Sequence, residues 1–77
     1  MDLKQILTDI ARAIVDTPDA VRVVETVDGD DVELVLSVAE EDTGMVIGRH
    51  GKIAKAIRQI MKVAATREGK HVNVEIQ

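Results

Sequence analysis

Two glycines three residues apart constrain this chain more than any other feature. They stand in the run Val46-Ile47-Gly48-Arg49-His50-Gly51-Lys52-Ile53-Ala54-Lys55-Ala56-Ile57-Arg58, with helical apolar spacing on either side. Glycine adopts backbone geometry closed to other residues, and its missing side chain lets another backbone come close. The pattern predicts two helices joined by a tight loop. The second glycine opens a helix, whose free N–H groups and positive dipole end suit phosphate. Arg49 and Lys52 add charge beside that spot. A sugar–phosphate backbone is held by such an arrangement. Other glycine motifs fail here. A Walker A loop needs glycine at Val46 and Ser or Thr at Ile53. The dinucleotide fingerprint also needs glycine at Val46, directly after a strand.

The surrounding pattern predicts the other elements. Asp2 is placed to cap a helix carrying Leu3, Ile6, Leu7, Ile10, Ala11 and Ile14 on one face. That helix should stop near Asp16, because Pro18 disfavours helical geometry at Thr17. Val21, Val23 and Val27 suggest a strand. Val32, Leu34, Leu36 and Val38 alternate with Glu33, Val35 and Ser37, the mark of a half-buried strand. Asp28-Gly29-Asp30 between them predicts an antiparallel hairpin. Glu40, Glu41 and Asp42 put negative charge at the start of a short helix ending near Ile47, which favours its dipole. A second helix is expected over roughly 52–66, with Ile53, Ile57, Ile60 and Ala64 facing inward and Lys52, Lys55, Arg58 and Lys62 on the opposite side. Gly69 ends it. Val72, Val74 and Ile76 form a closing strand. The expected fold class is α+β: α-β-β-α-α-β, a three-stranded sheet with helices packed on one face.

At 77 residues, the chain reads as one domain, 1–77, with a marginal core. It has no cysteine, hence no disulfide or thiolate metal site to staple it. The N-terminus lacks the basic head and apolar stretch of a signal peptide, and no apolar run approaches a membrane span. The expected location is the cytoplasm. The net charge of −4 is unevenly distributed: residues 1–43 carry −9, residues 44–77 carry +5. The local field around the loop is therefore basic. The chain has no aromatic residue, which excludes recognition by aromatic base stacking.

An enzyme is not expected. There is no thiol, no Ser/His/Asp set and no metal cluster. Asp28, Asp30 and Asp31 lack the spacing and terminal glutamate of a calcium loop and read as a solvated turn. Met45 and Met61 read as core or interface filler. His50 reads as a polar loop-tip residue and His71 as an exposed strand residue. Arg58 and Lys62 fit a solvated helix face as well as they fit a binding surface.

The Ile-Gly-x-x-Gly core between two helices resembles the KH domain signature. The order of elements is similar to the type II, prokaryotic topology, and the chain resembles the short bacterial KH proteins of the KhpA type over its whole length. The usual aliphatic residue three positions after the second glycine is here Ala54, between Ile53 and Ile57. The resemblance implies a single-stranded RNA-binding site with Gly48, Arg49, His50 and Gly51 on the backbone of about four nucleotides. Ile47 and Ile53 would shape its floor, with Lys52 and Lys55 at its rim. It also implies an RNA chaperone, as a homodimer or paired with a larger KhpB-type (Jag or EloR) KH protein, linked to cell division, cell length and peptidoglycan homeostasis. From the residues themselves, no cofactor and no metal are expected. Two alternatives stay open: a protein-interaction subunit scaffolding an RNA-binding partner, and a single-stranded DNA binder.

Overall fold

The structure, a computed structural model, describes residues 2–77; Met1 lies outside them. The elements follow the expected order: α1 (Leu3–Ile14), β1 (Arg22–Asp28), β2 (Asp31–Ser37), α2 (Thr43–Ile47), α3 (Lys52–Arg67) and β3 (His71–Ile76). Single 3₁₀ turns occupy Pro18–Ala20, Glu40–Asp42 and Arg49–Gly51.

The Asp2 carboxylate accepts the Gln5 N–H at 3.3 Å, as a capping residue should. Helix α1 stops at Ile14, two residues before Asp16, and Val15 is already extended. In the β1–β2 hairpin Asp28 lies opposite Asp31. Gly29 has a φ of 61° and Asp30 does not share the positive sign, the pattern of a type II′ turn.

The sheet order is β1-β2-β3; β1 pairs with β2 antiparallel and β3 pairs with β2 parallel. The helices cover one face. Against it pack Leu3, Leu7 and Ala11 of α1, Val46 of α2, and Ile57, Met61 and Ala65 of α3, closing on Val32, Leu34, Leu36 and Val74. With no aromatic ring available, Leu7, Leu34, Leu36 and Met61 are the largest fully buried apolar side chains. The face away from the helices is uncovered. It carries Asp28, Asp31, Glu33 and Glu75.

One expectation fails on α3. Its buried residues are Ala54, Ile57, Met61 and Ala65. Ile53 is 41% exposed and Ile60 50%, so the inward face is turned from the one expected. Two alanines on the buried line let the helix approach its neighbours closely, which bulky isoleucines would prevent. Ile53, Ile60 and Val63 form an apolar row in solvent. At about 100° per residue, Lys55, Arg58 and Lys62 then lie along the other flank of α3, and of these four cations only Lys52 stands directly behind its buried face. Met45 is also exposed, whereas Met61 is core.

Candidate nucleic-acid interface

The loop 48–51 is made by three successive departures from ordinary backbone. Gly48 has φ 76° and ψ 174°, a region open essentially to glycine alone. His50 (57°, 27°) and Gly51 (72°, 15°) are both left-handed. His50 is the only non-glycine residue with positive φ among the described residues. The turn is closed by the Gly48 N–H donating to the Gly44 carbonyl at 2.8 Å and the Gly51 N–H donating to the Gly48 carbonyl at 3.2 Å.

The two glycines are needed for different reasons. A Cβ on Gly48 would run into the side chain of Ile53 and lie 2.9 Å from its backbone nitrogen. A Cβ on Gly51 would meet nothing within 4 Å, so only its dihedral angles favour glycine there. Gly48 lets the first turn of α3 fold back onto the end of α2. Gly51 then starts α3 with its N-terminus at the loop.

The residues singled out from sequence are brought together. Arg49 and His50 are exposed at the tip, with Lys52 and Lys55 exposed on the first turn of α3. Ile47 and Ile53, each about two-fifths exposed, flank the loop on either side. Cationic and apolar surface therefore meet at one helix N-terminus, the combination that a nucleotide's phosphate and base require.

Two further residues, Arg58 and Asp42, hold the elements around the loop in place. The Arg58 Nε–H donates to the Val74 carbonyl at 3.1 Å, pinning α3 to β3. Across the β2–β3 pairing the His71 and Gln77 N–H groups donate to Asp30 and Leu36. In a parallel pair the alternate residues turn their N–H and C=O the other way. Val72, Val74 and Ile76 thus present backbone groups at the open edge of the sheet, and Arg58 occupies the middle one. From sequence Asp42 is only one of three charges favouring the helix dipole. It is 1% exposed, and its carboxylate accepts the Asp16 N–H (3.4 Å) and the Thr17 N–H (3.0 Å). It thereby ties the segment after α1 to the start of α2. Its sequence signal was faint: three acids in a row, of which only the last turns inward.

Away from the loop, a hollow of about 410 Å³ at one end of the sheet is lined by Thr26, Asp28, Asp31, Glu33, His71 and Asn73 among others. Its carboxylates repel phosphate. No helix among the described residues is long and apolar enough to cross a membrane.

Comparison with known proteins identifies the family. The family model for the KH domain of KhpA/KhpB matches residues 4–76. The RNA-binding protein KhpA of Clostridium acetobutylicum is 51% identical over 96% of this chain and 99% of its own length. The protein of the same name from Clostridium perfringens is 46% identical over 96% and 99%, and that from Bacillus subtilis 39% over 96% and 91%.

Proposed function

The chain belongs to the KhpA/KhpB KH-domain family, and on that premise we propose that it is a non-enzymatic, cytoplasmic binder of single-stranded RNA, acting as one KH unit over residues 1–77. The observation that carries this reading is the exposed loop 48–51 at the N-terminus of α3, with Arg49 and Lys52 beside it. Gly48, Arg49, His50 and Gly51 take the RNA backbone, Ile47 and Ile53 offer apolar surface to the bases, and Lys52 and Lys55 neutralise phosphates at the rim. Selectivity from the loop itself is modest, because backbone contacts carry no sequence information.

A single footprint of this size binds weakly, and a second KH unit reinforces it by effective concentration. The reading therefore includes pairing, either with a second copy or with a larger KhpB-type (Jag-type) partner. It includes action as an RNA chaperone in the post-transcriptional control of cell division, cell length and peptidoglycan homeostasis. The exposed Ile60 and Val63 further along α3 support pairing, since a small domain leaves such apolar surface bare at a cost in solubility.

The test is fluorescence anisotropy of labelled single-stranded RNA with the native chain and with the double variant Arg49→Asp/His50→Asp, circular dichroism confirming that the variant stays folded. Binding by the native chain and its loss in the variant are expected. Equal binding by both, or none by the native chain, would overturn the loop reading and favour a scaffold subunit whose partner holds the RNA. Tighter binding to DNA of matched sequence would turn the reading to single-stranded DNA.

A further inference from the structure

The loop explains how a backbone is held, but not how one base is told from another. Aromatic side chains are absent, so the planar groups able to meet a base are few. Among the described residues two arginines are held by hydrogen bonds. Arg22 donates from Nη1 to the Asp19 and Val21 carbonyls at the start of β1, the far edge strand. Arg58 is the other, and it alone of the two stands on the basic flank of α3. The Arg58 Nε–H is committed to the Val74 carbonyl at the open edge of β3. That bond leaves the four N–H donors on Nη1 and Nη2, a rigid fork that has lost one degree of freedom before any ligand arrives. The side chain is exposed. Lys55 and Lys62 stand one turn before and after it on the same flank of α3, so the fork lies within a line of positive charge leading away from the loop.

A fork of two parallel donors matches a base edge with two adjacent acceptors. In single-stranded RNA, where base edges are free, guanine offers O6 and N7, and cytosine offers O2 and N3. Adenine sets its amino group beside each ring acceptor of its Watson–Crick and Hoogsteen edges. Uracil sets an N–H between its two carbonyls. Both present the fork with a donor or a gap where it needs a second acceptor.

Building on the RNA reading above, we propose that Arg58, held by the Val74 carbonyl, is the base-selecting residue of this site and favours guanine or cytosine over adenine or uracil. The phosphate-binding loop then sets affinity, and the α3–β3 edge sets preference. An arginine that only covered a sheet edge would be replaceable by any long cation. A base reader is not, because lysine keeps the charge but lacks the fork.

The experiment uses short oligouridine RNAs carrying guanosine, cytidine or adenosine at two adjacent central positions, titrated by anisotropy against the native chain and Arg58→Lys. The native chain should prefer the guanosine or the cytidine oligonucleotide over the adenosine one by about fivefold or more, the lower end for a bidentate contact. Arg58→Lys should level that preference to within about twofold while still binding oligouridine, because phosphate attraction is kept. If guanosine is the preferred base, 7-deazaguanosine, which lacks N7, should remove the advantage; retention of the advantage overturns the assignment. A native chain that binds RNA without distinguishing these bases overturns it too, whatever the variants do, as does a preference that survives in Arg58→Lys. Failure of the native chain to bind any of the oligonucleotides would bring down the RNA reading itself and this inference with it.

Discussion

Gly48 and Ile53 touch in a way that only a hydrogen atom at the glycine permits. A Cβ there would lie 2.8 Å from the Ile53 Cβ and 2.9 Å from its backbone nitrogen. The contact explains why Ile53, expected in the core, is found at the loop. Its side chain is used to fold the first turn of α3 back on the end of α2.

Gly48→Ala should therefore destabilise the chain by about 2–4 kcal/mol, combining forbidden dihedral angles with overlap against Ile53. Gly51→Ala meets no atom and should cost about 1–2 kcal/mol, the penalty of the left-handed conformation alone. Urea unfolding followed by circular dichroism measures both. Equal losses would contradict the asymmetry.

The buried face of α3 can be checked in the same way. Met61→Ala should cost about 2–5 kcal/mol, as for a fully buried side chain. Ile60→Lys and Val63→Lys should each stay within about 0.5 kcal/mol of the native chain, as exposed substitutions do. If a second KH unit covers the row, sedimentation should show the two lysine variants lighter than the native chain.

Asp42→Ala should cost about 1–3 kcal/mol, because it strips the Asp16 and Thr17 N–H groups of their shared acceptor in a place with little access to water. Asp42→Asn retains an acceptor oxygen and should lose less. Thermal melts of the two variants give the comparison; an Asp42→Ala melt matching the native one would mean that water replaces the carboxylate.

RNA affinity should fall with salt at a log–log slope near about −2, for roughly three phosphates neutralised at about 0.7 each. Lys55→Ala should flatten that slope by about 0.7 if Lys55 meets a phosphate. Titrations at several salt concentrations measure it, and an unchanged slope would remove Lys55 from the site.

Much of this was legible in the residues. Helix α1, the hairpin at Gly29 and the final strand follow from local periodicity and turn chemistry, which act within a few residues. The loop was legible because its glycines are a local backbone demand. What escaped was set at a distance. The inward face of α3 is chosen by how closely that helix can approach its neighbours, so Ala54 and Ala65 won over the bulkier Ile53 and Ile60. The Arg58–Val74 and Asp42–Thr17 bonds join residues 16 and 25 positions apart, and no spacing rule points to either.

The parallel pairing of β2 and β3 carries a consequence for the loop. Parallel neighbours cannot be joined by a hairpin; the chain must be carried from one end of the sheet back to the other by a crossover connection. Here that connection is α2, the loop and α3. The candidate binding element is thus the covalent return path of the sheet, not an ornament on a finished scaffold. Insertions that a surface loop would absorb would here alter the span between two paired strands, and a chain cut before β3 would lose the anchor that holds Arg58 in place.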